Sequence, residues 1–201
     1  MRETELCPDC RFAVTHCYCS KIPVPANVGP VFFLLYHEQE PQRLSNTGVL
    51  IEHLLPETYS AIWQRREPDQ QLLSLLARDD LQPWLIFPAD RPELSARAKP
   101  FSPAISKRPL FILPDGTWKE VRKMVRRSPY LDSVPILAFN PDQTTRYTLR
   151  RNPDADHLCT AEIAEAVLRI NSENEAADRL SDLFDLFMQH YHAWQHHLPA
   201  S

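Results

Sequence analysis

The chain has 201 residues, of which 43% are hydrophobic and 24% charged, and carries a formal net charge of -4. That length fits one domain of ordinary size with a small appendage, and the composition excludes intrinsic disorder. The acidic balance excludes a generic polyanion binder, so any nucleic-acid contact must come from a local patch.

The first residues, Met1-Arg2-Glu3-Thr4-Glu5, lack the apolar stretch of a signal peptide, and no apolar run reaches the length of a membrane span. A cytoplasmic protein with no membrane contact and no obligatory protein partner is expected. Four of the five cysteines follow at once: Cys7, Cys10, Cys17 and Cys19, spaced C-x2-C-x6-C-x-C. Thiolates are soft ligands, and two close-spaced pairs can close a tetrahedron around zinc. Residues 1–20 are too few for a hydrophobic core, so a structural zinc ion is expected to supply the folding free energy of this module. Disulfides are the competing reading and do not suit a chain with no secretory signal. His16 is a substitute ligand in principle, but four thiolates already complete the set.

A Pro-rich linker (20–30) leads to VFFLLYH, an apolar run that predicts a buried strand. NTGVLIEHLL (46–55) predicts a helix, and DQQLLSLLARD (69–79) an amphipathic helix with Asp69 as N-cap. PWLIF (83–87) and PLFIL (109–113) predict short buried strands on either side of a second Pro-rich linker, 88–109. TWKEVRKMVRRS (117–128) predicts a helix, VPILAF (134–139) a strand, and TRYTLR (145–150) an alternating strand. TAEIAEAVLRI (160–170) predicts a helix capped by Thr160. The last helix is expected to start at the capping-box pattern Ser172-x-x-Glu175. Its stripe of Leu180, Leu183, Phe184, Phe187, Tyr191 and Trp194 faces a core. Strands alternating with helices imply a parallel α/β sheet, with ligand sites beyond the carboxyl ends of the strands. Nineteen prolines against three glycines implies that Gly29, Gly48 and Gly116 sit where the backbone needs them.

Three strand-to-helix junctions carry polar residues. HEQEPQRLSNTG holds His37, Arg43, Asn46 and Thr47; PDGTW holds Asp115 and Gly116; YTLRRNPDADHLCTAEIAEA holds Arg150, Cys159, Thr160 and Glu162. Each residue has a plain reading as a cap or turn former, and the conjunction has a functional one. In a helix from Trp118, Lys119, Arg122, Lys123, Arg126 and Arg127 share one face, while Trp118, Val121, Met124 and Val125 share the other. Only Glu120 interrupts the cations, so a phosphate-facing patch is expected. Asp115, just before it, either caps the helix or is a base held beside bound nucleic acid. His192 and His196, four apart on the last helix, read as solvated.

Taken in order, these residues resemble the DTW-domain family, the tRNA-uridine aminocarboxypropyltransferases. The namesake D-x-T-W motif is Asp115-Gly116-Thr117-Trp118. The resemblance extends over the cysteine cluster, HEQEPQRLSNTG, RRSPYL, and YTLR with LCTAEIAEA, from about residue 7 to 168. It implies a SPOUT-like α/β fold, with residues 1–20 as a four-cysteine zinc module and 21–201 as the catalytic domain. It also implies transfer of the 3-amino-3-carboxypropyl group of S-adenosylmethionine to N3 of a uridine in the tRNA variable loop. Asp115 is then assigned as general base. Gly116 lets the backbone approach the cofactor closely, and Thr117 and Trp118 shape its adenosine pocket or anchor the helix, with Trp118 as plain core the competing reading. Arg150 and Thr160 take the cofactor's carboxylate and Glu162 its ammonium, with Asn46 and Thr47 in the same pocket and Cys159 a buried neighbour. His37, Arg43 and the five cations of the 118–127 segment are assigned to RNA. Methyl transfer on the same fold, and a non-catalytic zinc-containing RNA-binding protein, are the alternatives.

Overall fold

Six short strands form one parallel sheet in the computed structural model, which describes residues 5–89, 92–137, 145–147 and 158–199. In chain order the elements are β1 (Val31–Tyr36), α1 (Gly48–Leu54), β2 (Thr58–Ile62), α2 (Gln70–Leu76), β3 (Leu81–Leu85), α3 (Pro92–Ser95), β4 (Ala98–Lys99), β5 (Arg108–Asp115), α4 (Trp118–Arg126), β6 (Ile136–Leu137), α5 (Thr160–Ile170) and α6 (Asn174–Gln195). The architecture is the mixed α/β one expected, with a parallel sheet and flanking helices. The chain divides into two compact units.

The sheet unit comprises Asn27–Pro41 and Glu57–Asp142. Its strand order is β2-β1-β5-β3-β6-β4. Every residue of β1 is buried, as a strand enclosed on both faces requires. On one face Val31, Phe33 and Leu35 of β1 and Leu110 and Ile112 of β5 meet Leu72 and Leu75 of α2 and Val121, Met124 and Val125 of α4. On the other, Phe111 lies against Phe32 and Phe101, and Trp84 against Phe101. Pro83 sits inside β3 without breaking the sheet for a geometric reason. Leu85 donates its N–H to Pro135 O on the β6 side, so Pro83, two residues earlier, would donate on that side too. Among the described residues β6 pairs with β3 at Leu85, so Pro83 lies outside that pairing.

The helical unit comprises Met1–Ala26, Gln42–Pro56 and Gln143–Ser201. Helices α1, α5 and α6 pack through Leu50, Ile51 and Leu54, through Ala164, Val167 and Leu168, and through Leu180, Leu183, Phe184 and Phe187. Phe12, between the second and third cysteines, is wholly buried against α6, with its ring stacked on Trp194 and close to Phe187 and Tyr191.

Several sequence expectations change. The stretch 88–109 is no linker, because it contains α3 and the edge strand β4. Strand β2 has no counterpart in the sequence reading. It is an edge strand with only partly buried and exposed residues, so its apolar signal is weak. Helix α5 is entered through Cys159, with Thr160 its first residue, and the Glu162 carboxylate accepts the Cys159 N–H at 2.8 Å. No Ser172–Glu175 box forms at α6, whose N-cap is Glu173. Ser172 instead takes a left-handed φ of 63° and closes α5, with Ser172 N–H on Arg169 O and Glu173 N–H on Leu168 O. His197 closes α6 the same way, at φ 55°. None of the three glycines has a positive φ, so their scarcity does not mark left-handed turns. Thr145, Arg146 and Tyr147 are not a strand. Their alternation comes from ties in alternate directions: Thr145 Oγ1 donates to Glu162, Arg146 reaches Glu165 and Asp185, and Tyr147 Oη donates to Ser45 O. Residues 148–150 of that expected strand, and 138–139 of the one before it, lie outside the described residues.

Candidate functional site

The cysteine cluster is built by a tight hairpin. Leu6 and Ala13 bridge in antiparallel fashion, Cys7 O accepts the Arg11 N–H, and Arg11 takes a positive φ of 61° to turn the chain. A short 3-10 turn at Cys19–Lys21 brings the last thiol round. The four sulfurs lie within 4.8 Å of one another. Cys7 Sγ is 3.8 Å from Cys19 Sγ and 3.4 Å from Cys17 Sγ. A zinc ion with four sulfurs at about 2.3 Å requires sulfur–sulfur separations of about 3.8 Å, so the donor set and its size both suit zinc. Backbone N–H groups of Cys10 and Asp9 hold the Cys7 thiol down at about 7. Burial pushes Cys10 and Cys19 up. His16 is turned away, with its Nε2 2.8 Å from Leu198 O.

In the sheet unit, the ladder continues one residue past the strands. Trp63 N–H donates to Tyr36 O and His37 N–H to Asp115 O. Trp63, His37 and the Asp115–Gly116 peptide are therefore neighbours at the carboxyl edge of the sheet, where parallel sheets carry ligand sites. Asp115 ends β5 only 2% exposed. Gly116 is there for space: a Cβ would lie 3.2 Å from His37 Cβ and 3.3 Å from Glu120 Oε2. Thr117 is the N-cap of α4 in a full capping box, with Glu120 Oε2 accepting from the Thr117 N–H and hydroxyl at 2.8 and 2.7 Å. The same carboxylate places Oε1 3.4 Å from His37 Nδ1. Trp118 packs on the core cluster and against Phe87. The D-x-T-W motif thus reads physically as strand end, clearance, cap and apolar seat. Along α4, Lys119, Lys123 and Arg126 are exposed, Arg122 is half-buried, and Arg127 is the exposed C-cap. Among the described residues no carboxylate pairs with Lys119, Lys123, Arg126 or Arg127.

In the helical unit, a second polar cluster joins the starts of α1 and α5. Asn46, Thr47, Thr160 and Glu162 are all buried. Thr47 Oγ1 accepts the Ala161 N–H at 3.2 Å, and Asn46 Oδ1 accepts the Val49 N–H at 3.3 Å. Glu162 accepts from Thr145 Oγ1, Arg146 N–H and Cys159 N–H at 2.7, 2.6 and 2.8 Å. It clamps the 145–147 segment to the start of α5. Cys159 is 3% exposed, and burial pushes its thiol up, against any nucleophilic use. Arg43 gives its carbonyl to the Asn46 N–H and to the Arg11 guanidinium. Arg150 lies outside the described residues.

A model of the DTW domain matches residues 4–192. The chain belongs to the DTW-domain family. No solved structure matches it.

Within this DTW domain the expected site residues gather as two groups. His37 joins Asp115–Gly116 and the first turn of α4, while Asn46 and Thr47 join Cys159, Thr160 and Glu162. Sequence reasoning missed Trp63, because the strand that delivers it was itself missed, and Ser128, a wholly buried hydroxyl at the end of α4. No helix among the described residues is long and apolar enough to cross a membrane.

Proposed function

We propose that this DTW protein transfers the 3-amino-3-carboxypropyl group of S-adenosylmethionine to N3 of a uridine in the tRNA variable loop, in the cytoplasm. The observation that carries the reading is Asp115. It is a buried carboxylate residue at the carboxyl edge of a parallel sheet, just before a helix whose Lys119, Lys123 and Arg126 have no carboxylate partner among the described residues. Family membership supports the RNA substrate, and the resemblance of the motifs supports the donor.

When bound, S-adenosylmethionine would supply the activated aminocarboxypropyl carbon, its Cγ–S bond breaking as the N3–C bond forms and 5′-methylthioadenosine leaving as a neutral thioether. The buried amide, hydroxyl and carboxylate groups at the starts of α1 and α5 are of the kind a zwitterionic ligand would need, beside the helix-capping bonds they already make. There Thr160, Asn46 and Thr47 would bind and orient the amino-acid end. Glu162 already accepts three hydrogen bonds, so it fixes the 145–147 segment beside the start of α5. Asp115 takes the N3 proton of the uridine as general base. Lys119, Arg122, Lys123, Arg126 and Arg127 hold RNA phosphates, with Arg43 and His37 adding RNA contacts. Zinc on the four cysteines is structural, making residues 1–20 a module appended to the catalytic domain 21–201.

Mass spectrometry of nucleosides from unmodified tRNA, incubated with the protein and S-adenosylmethionine, tests this directly. A uridine heavier by one aminocarboxypropyl group is expected. A methylated uridine would overturn the group transferred, and bound but unmodified tRNA would leave an RNA-binding protein. Asp115→Asn should lower the transfer rate about 10²- to 10⁴-fold, the range of a lost general base, with tRNA affinity unchanged. An undiminished rate would remove Asp115 from the chemistry.

A further inference from the structure

Trp63 has no place in the family motif and no role in the transfer as proposed, yet it stands in the ladder beside His37 and Asp115. Its indole N–H donates to Ser128 Oγ at 2.8 Å, and that wholly buried hydroxyl donates in turn to Met124 O at 2.8 Å. The ring is therefore held by its polar end and cannot turn freely. It is only half-buried. The His37 imidazole lies nearly parallel to it, at 19° and 6.4 Å between centroids. The Lys123 ammonium lies 5.8 Å from its centre, and no carboxylate among the described residues pairs with that lysine. Part of the indole packs on the core cluster, as Trp118 does, and the rest is left uncovered. A site for phosphate alone would need the cations and not the rings.

We infer that Trp63, with His37 and Lys123, forms a stacking platform for an unpaired pyrimidine base of single-stranded RNA. Unpaired bases are recognised by aromatic faces, with cations supporting the adjacent backbone. The two rings and the ammonium supply both, beside the Asp115–Gly116 turn. The inference rests on the RNA substrate proposed above and adds a base-binding element to it. The fixed indole makes the platform preorganised, so the base loses freedom on binding but the protein side chain does not.

The test uses the whole zinc-loaded protein without any donor, so a failure of group transfer leaves its outcome intact. An RNA hexamer of uridines carrying one 5-iodouridine is photo-crosslinked to the wild-type protein, and the modified peptide is mapped. A crosslink on Trp63 or His37 is expected; crosslinks confined to other residues overturn the platform. In parallel, binding of hexauridylate and of an abasic hexamer with the same backbone is measured by fluorescence anisotropy. Trp63→Leu should weaken hexauridylate about tenfold, the scale of one lost base–aromatic stack, and leave the abasic hexamer unchanged. Trp63→Phe should stay within about twofold of wild type, because it keeps a ring without the Ser128 bond. Wild-type affinity in Trp63→Leu, or an equal loss for the abasic hexamer, overturns the inference. If Trp63→Leu fails to fold, the crosslink and the Trp63→Phe affinity decide it.

Discussion

The sheet unit and the helical unit place their polar side chains by opposite means. At the sheet edge, backbone register does the placing: Trp63, His37 and Asp115 are consecutive steps of one hydrogen-bonded ladder. In the helical unit, side chains do it. Four thiols gather at the chain's start, Thr47 caps α5 from α1, and Glu162 ties a three-residue strap to a helix start. Register is robust to single substitutions, because no one side chain carries it. A side-chain clamp fails when its one residue fails.

Removing the proposed zinc ion should produce the largest effect and the sharpest break between the units. Structural zinc in small modules contributes on the order of 10 kcal/mol. Stripping it, or Cys7→Ser, should lower the melting temperature by about 10 °C or more. It should also unstack Phe12 from Trp194, seen as a shift in tryptophan emission, while the sheet unit keeps its slow amide exchange. Loss of protection in β1 and β5 would show that the units do not melt separately. The Cys7 thiol sits at about 7, below its ordinary value of 9.0. Its thiolate is therefore favoured by the fold, fully so above pH 9, and that contribution is lost as pH falls through about 7. Zinc affinity measured against pH should fall as pH falls, because protons then compete with the metal for all four thiolates.

Next in size is Glu162→Gln. The amide turns one of two acceptor oxygens into a donor facing a donor, at a cost of about 2 kcal/mol and ~6 °C by calorimetry. Thermal stability equal to wild type would mean the strap is held by Arg146 and Tyr147 alone. Smallest in stability is Gly116→Ala. The added Cβ meets His37 Cβ at 3.2 Å, and His37 is fixed by its backbone bond to Asp115 O. The strand end must shift by a few tenths of an ångström. Melting should change by about 3 °C or less, while transfer falls about tenfold because alignment at that edge is disturbed. An unchanged rate would show that the edge tolerates the shift.

The same contrast explains what could be read from the sequence. Strands β1 and β5 announce themselves because both faces are buried and the runs are almost wholly apolar. The Asp69 cap is legible because its side chain bonds the Gln71 and Leu72 N–H groups by the common rule. The four cysteines are legible from spacing alone. Strand β2 is not, since an edge strand with one wet side carries few apolar residues, and Trp63 goes unseen with it. The cap of α5 is misplaced by one residue because Thr160 is a commoner cap than Cys159. The 145–147 segment imitates a strand because alternate tethering and alternate burial write the same period into a sequence.

The ring of Phe12 lies on Trp194, so the cysteine hairpin is completed by a helix made much later along the chain. During synthesis the cysteine hairpin can gather its metal early, but its apolar side must wait until α6 has left the ribosome. Until then the hairpin keeps one aromatic face uncovered. Emergence of α6 is thus the event that seals the hairpin, and a chain truncated before residue 194 would carry that face open.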